Sequence, residues 1–148
     1  MADEPYPTER YRQGLATRRM VLGDPHVERT LAGETDFDRP FQHFITEGAW
    51  GTLWSGTGLT KRERSIVTIA LLAALGQHEE VAMHVRASAR TGATSDDIRE
   101  ALMHVAVYAG VPAANHAFKI AKSVYAEMEA EQQAGTEPGR ETDEKRSA

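Results

Sequence analysis

The sequence predicts an all-α fold, and three observations predict it. Apolar residues recur at three- and four-residue spacing along most of the chain. No segment shows the sustained alternation of a half-buried strand. The periodic segments are bounded by residues that cap or break helices. With 148 residues the chain has the size of one domain that can bury a real core. Its 41% apolar and 26% charged residues fit a soluble globular protein.

Pro5 and Pro7 discourage regular structure in an N-terminal arm, residues 1–7. Thr8 can cap a first helix that runs to Leu22 and ends at Gly23-Asp24-Pro25. A short helix is predicted over His26 to Ala32. A further helix is predicted over Asp36 to Trp54, anchored by Phe37, Phe41, Phe44, Ile45 and Trp50, with Pro40 in its first turn.

Ser55 to Gly58 reads as a loop. Thr60-Lys-Arg-Glu63 then has the capping-box pattern, in which Thr and Glu satisfy each other's orphan amides at a helix start. That helix runs to Leu75 and is apolar on nearly every side from Ile66 onward, which predicts a central place, buried within the fold or shared with another subunit. Gly76 ends it. The next helix carries Glu80 and His84 and closes at Gly92.

Thr94 to Asp97 supply another cap, and Ile98, Ala101, Leu102, Val105 and Ala109 mark the buried stripe of the helix that follows. Gly110-Val-Pro112 is a sharp break. The last helix carries Ala117, Phe118, Ala121, Val124, Tyr125 and Met128. The helical domain is expected to span residues 8–132, with a disordered polar tail over 133–148.

A net charge of −5 leaves no basic footprint, so nucleic-acid binding is not expected. The absence of cysteine excludes disulfides, thiolate metal sites and thiol chemistry. The N-terminus MADEPYPTER has no secretory character, and the longest apolar run, Ile66 to Leu75, is too short for a membrane span. A cytoplasmic location is expected.

The stretch GQHEEVAMHVRASARTGAT, Gly76 to Thr94, concentrates the chemistry. Glu80 and His84 lie one turn apart on one face, where they can hydrogen-bond and carry a proton near neutral pH. Gln77 joins them. A neighbouring carboxylate is expected to raise the imidazole pKa and make His84 a proton donor. Spacing alone favours the plainer reading, a solvated helical ion pair.

A metal site is not predicted. His78 and His84 are six residues apart, about 240° around a helix, and cannot easily chelate one ion from a single helix. No nucleophile elbow and no phosphate-cradling loop is present. Trp50 and Trp54, four apart, read first as core, and second as a flat apolar wall for a small ring.

Read with YRQGLATRRMVLGDPHV, AWGTLW, RSIVTIALLAALG and IREALMHVAVYAGVPAANHAF, the stretch resembles the carboxymuconolactone decarboxylase family, over about Tyr11 to Tyr125. The resemblance implies an all-helical subunit of the alkylhydroperoxidase D-like type, assembled as a homo-trimer or hexamer. Aligned on that thiol motif, His84 remains, while Gln77 and Glu80 stand in the two cysteine positions, which excludes its peroxide chemistry.

A proton-transfer chemistry remains, and the resemblance implies decarboxylation of a small dicarboxylate lactone in the protocatechuate branch of aromatic catabolism. The electron sink is built into the substrate, so no cofactor or metal is required. His84 is implied as proton donor or oxyanion partner, with Glu80 tuning or relaying its proton. Arg64 is implied as the carboxylate clamp. Trp50, Trp54 and Tyr108 complete the expected substrate contacts. Arg12, Arg18, Arg19 and Arg39 are weaker candidates for the clamp.

One departure stands out. The family pattern W-x-R-x-G-L has Gly56 in place of its arginine here. That leaves open a relative acting on another small lactone or keto-acid. A non-catalytic helical oligomer is the alternative from a different class.

Overall fold

Two glycines set how the N-terminal half packs. In a computed structural model, which describes residues 6–136, helix α1 spans Glu9–Leu22 and Thr8 caps it by accepting a hydrogen bond from the Tyr11 amide. Helix α2, Asp24–Ala32, begins two residues before its predicted start, because Pro25 fits a first turn that needs no N–H there. Helix α3, Arg39–Ile45, runs on into a π-helix, Thr46–Trp54. The wider winding leaves its mark on side chains: Ser55 Oγ donates to the Trp50 carbonyl at 2.6 Å and Thr52 Oγ1 to the Glu47 carbonyl at 3.1 Å, each five residues back.

Helix α1 lies on this π-helix at backbone contact. A Cβ on Gly14 would come within 2.0 Å of the Thr46 carbonyl oxygen, and one on Gly51 within 2.5 Å of the Arg10 carbonyl oxygen. Only glycine permits that approach.

The second half follows the predicted caps. Helix α4 is Lys61–Ala74 with the Thr60/Glu63 capping box formed, and helix α5 is His78–Thr91, ended by Gly92 at φ 86°. Helix α6 is Ser95–Tyr108, opened by a second capping box, Thr94/Asp97. Asp97 also takes the Arg62 fork, with Nε 2.8 Å from Oδ2, and so ties the starts of α4 and α6 together. Helix α7 is Val111–Thr136. Among the described residues there is no strand, and no helix is long and apolar enough to cross a membrane.

Two apolar clusters meet on α5. One gathers Ile69, Val81, Val85, Leu102, Ala117 and Val124 from α4 to α7. The other gathers Val21, Val27, Trp50, Trp54 and Ala87, joining α1, α2 and the π-helix to α5. Helix α5 is thus held on both sides, and its inward groups sit on a braced element.

Several expectations need correction. Phe37, Phe41 and Phe44 were predicted as anchors but are exposed (96% for Phe37), and no residue of α3 is buried. Packing in this region runs through the π-helix, so the apolar side of α3 faces outward. Within a single subunit helix α4 is not buried all round: Ser65, Ile69 and Ala73 are inside, while Val67, Leu71 and Leu75 are exposed, which leaves of the expectation only a face shared with another subunit. Helices α5 to α7 cover only one side of it. Ala109 caps α6 from the surface rather than extending its stripe.

The last helix continues four residues past 132, to Thr136. The rest of the predicted tail, 137–148, and residues 1–5 of the predicted arm lie outside the described residues. The end of the arm is packed: the Tyr6 ring stacks on His43 with centroids 4.4 Å apart.

Candidate functional site

The helical period of α5 sends Val81, His84, Val85 and Ser88 inward and leaves Gln77, His78, Glu79 and Glu80 at the exposed first turn. His84 is 7% exposed, and its Nδ1 is buried with no hydrogen-bond partner among the described residues. The imidazole meets the two indoles of the π-helix. Its plane lies 14° from that of Trp54 at 5.8 Å between centroids, and 14° from that of Trp50 at 6.5 Å. The indoles stack on each other at 5.4 Å. Histidine and tryptophans, 30 and 34 positions apart in sequence, form one flat-walled cluster.

This environment reverses the expected electrostatics. Burial among aromatic rings pushes the His84 imidazole down to about 4; the Glu80 carboxylate pulls the other way and loses, and His26 adds to the depression. Glu80 is exposed and acts on His84 through space, with no hydrogen bond or ion pair joining them. At neutral pH His84 is therefore a neutral imidazole. In that form it offers one N–H donor and one acceptor nitrogen.

Arg64, at the start of α4, is half-buried, with Nε enclosed and unbonded. Its guanidinium lies beside Gly56, two residues after Trp54, and makes no ion pair among the described residues. Ser65 Oγ pairs with Thr91 Oγ1 at 2.6 Å, so the chain level of Arg64 is opposite the far end of α5, and its long side chain leads back toward the Trp54 loop. Tyr108 is apart from these groups. It is 86% exposed at the end of α6, with its ring stacked on His104.

Two residues near the cluster were passed over in the sequence or given little weight. Arg18 on α1 is 5% exposed, and its Nη1 donates to Gln42 Oε1 at 3.2 Å and Thr46 Oγ1 at 3.4 Å. His26 on α2 is half-buried; burial pushes its imidazole down, helped by Arg29 and Arg18. The signal was present in YRQGLATRRMVLGDPHV, where charged residues at helical spacing with Val21 and Leu22 had to face the same interior.

A groove of about 710 Å³ runs between α2, α5 and α7 and is lined by His26, Arg29, Met83, Arg86, Arg90 and Glu127 among others. Arg86 is neutralised there by Glu127 and Glu131. No three His, Asp or Glu side chains converge to hold a metal ion among the described residues.

A buried neutral imidazole against an apolar wall, with guanidinium groups at hand, suits proton and charge handling on a small anionic substrate. Comparison with known proteins gives that class: two relatives, each matched over more than three quarters of the chain, are decarboxylases by name. One is the 4-carboxymuconolactone decarboxylase of Acinetobacter baylyi, 46% identical over 120 residues, which are 81% of this chain and 90% of the relative. The other is the nitrosuccinic acid decarboxylase of Metarhizium robertsii, 38% identical over 116 residues, 78% of this chain and 81% of the relative. Residues 39–123 match the sequence profile of the Carboxymuconolactone decarboxylase family. The chain belongs to that family.

Proposed function

We propose that this protein decarboxylates 4-carboxymuconolactone, giving the β-ketoadipate enol-lactone in aromatic catabolism. The observation that carries the reading is the neutral, buried His84 held nearly parallel to Trp50 and Trp54, in a chain that is 46% identical over 120 residues to a 4-carboxymuconolactone decarboxylase.

The chemistry follows from the substrate. The bond between ring carbon and carboxylate breaks, CO2 leaves, and the electron pair flows through the ring C=C to the lactone carbonyl, forming a dienolate. A proton then returns to ring carbon. Trp50 and Trp54 make the surroundings of His84 apolar, and a carboxylate brought against them would lose its solvation, which favours departure of CO2. A neutral His84 donates its N–H to the lactone oxygen as negative charge grows there. Glu80, at the exposed turn, relays the proton. Arg64 takes a carboxylate through its unpaired fork.

Charge and surface support the wider reading of a cytoplasmic enzyme that binds neither nucleic acid nor membrane and works as a homo-trimer or hexamer. The net charge of −5 opposes polyanions. Val67, Leu71 and Leu75 of α4 and Met103, Val107 and Tyr108 of α6 are exposed, an apolar area that a second copy would cover. In this arrangement Tyr108 contributes to a pocket only from across a subunit boundary.

The test is CO2 release and lactone consumption by purified protein with freshly generated 4-carboxymuconolactone after chelator treatment. Turnover at enzymatic rates supports the reading, and a folded protein without turnover overturns it. Gly56, where the family pattern has arginine, favours a second reading: a different small dicarboxylic acid. Nitrosuccinic acid is the first to try, because its nitro group is also an electron sink beside the carbon that loses CO2.

A further inference from the structure

Arg18 is a charge without a counter-charge. It is 95% enclosed on α1, and no carboxylate pairs with it among the described residues. Its Nη1 is spent on two neutral acceptors, Gln42 Oε1 and Thr46 Oγ1. Its Nε is buried with no partner among the described residues. An enclosed guanidinium with only neutral partners is costly to fold around, since its desolvation is not offset by an opposite charge. A purely structural role would be met better by a neutral side chain. The cost makes sense where an anion arrives from outside and takes the free Nε/Nη2 edge, the face of the fork that matches a carboxylate bidentately.

The surroundings fit. Thr46, which receives Nη1, is the first residue of the π-helix, and donates in turn to the Gln42 carbonyl at 2.7 Å, so the guanidinium is held against the element that carries Trp50 and Trp54. His26 lies within electrostatic reach of both Arg18 and His84.

We propose that Arg18 is the substrate-binding residue for the carboxylate that the reaction keeps, the acetate arm of the lactone, while the carboxylate that leaves stays away from it. This rests on the decarboxylase reading above and adds to Arg64 a second clamp for a second carboxylate. The assignment to the retained arm follows from the energetics. A strong bidentate pair on the departing group would stabilise the ground state and be lost as CO2 forms; on the retained group it persists through the transition state and anchors the ring.

Binding of two single-carboxylate butenolides tests this without turnover. Muconolactone carries only the acetate arm; the other probe carries only the ring carboxylate. Quenching of Trp50 and Trp54, the only tryptophans of the chain, reads both. In Arg18→Met, muconolactone affinity should fall by about tenfold or more, while affinity for the ring-carboxylate probe changes by less than about twofold.

Equal loss for both probes, or no loss for either, overturns the proposal. Wild-type protein that binds neither probe overturns the decarboxylase reading, and the assignment of Arg18 with it. If far-UV circular dichroism shows Arg18→Met unfolded, Arg18→Lys takes its place. Lysine keeps the charge without the fork, and the same selective loss, smaller in size, is expected; an unchanged ratio of the two affinities sinks the idea.

Discussion

The guanidinium of Arg64 lies in space that Gly56 leaves open: a Cβ on residue 56 would stand 3.0 Å from Nη2. The family pattern has an arginine at this position, and here an arginine from α4 lies beside it. Gly56→Ala is expected to cost some stability without unfolding the chain, because the added Cβ meets the flexible end of Arg64 at 3.0 Å but also the Leu53 and Thr52 carbonyl oxygens at 3.2 and 3.3 Å. The Michaelis constant should rise roughly tenfold as the fork is displaced, with a smaller change in kcat. Steady-state kinetics beside a thermal melt would check this, and an unchanged KM would free Arg64 from any role in binding.

The depressed His84 pKa should be visible directly. NMR titration of its imidazole is expected to give a midpoint near 4, against 6.5 for an unperturbed histidine. Between those values the unfolded chain binds more protons than the folded one. Stability is therefore whole above 6.5 and falls as pH drops toward 4, by on the order of 3 kcal/mol at the bottom of the window. Urea titrations across that range should show the loss, and His84→Gln should flatten it. A His84 midpoint near 6.5 would contradict the burial argument.

Turnover should depend on the same side chain. His84→Ala is expected to lower kcat by about tenfold or more while the oligomer stays intact, the cost of one transition-state hydrogen-bond donor. Near-wild-type turnover would remove His84 from the mechanism and favour the non-catalytic reading.

Backbone contact between α1 and the π-helix makes Gly14 a structural requirement. Gly14→Ala would place a methyl 2.0 Å from the Thr46 carbonyl oxygen, with no side chain able to give way. A loss of about 3 kcal/mol is expected from overpacking of this kind. Chemical denaturation gives the number. A neutral substitution would mean that α1 can slide, and that Trp50 and Trp54 are less firmly placed than their burial implies.

The exposed apolar side of α4 and α6 predicts self-association. Sedimentation equilibrium should return a multiple of the 16.3 kDa chain mass, and Leu71→Arg with Val107→Arg should reduce it to a single chain. A wild-type monomer at working concentration would refute the oligomer and leave the face unexplained.

Local signals determined much of this protein on their own. Thr8, Thr60 with Glu63, Thr94 with Asp97, and Gly92 set helix ends within the chain because capping is a matter of neighbouring amides and hydroxyls, and every one of them forms. The family was legible in short motifs whose order and spacing are themselves sequence properties. The exposure of Phe37, Phe41 and Phe44 was not legible, because an apolar stripe states only that a face wants cover, never whether the same chain supplies it.

The site divided in the same way. Glu80 and His84 share a helix face by spacing, yet spacing does not give the sign of the His84 shift, because charge attraction is local while desolvation is set by whatever packs on top. Only the tertiary structure brought Trp50 and Trp54 onto His84, turned that imidazole neutral, and enclosed Arg18 without an anion. Those outcomes depend on backbone contact at Gly14 and Gly51 and on a π-helix between distant segments, and no local pattern encodes either.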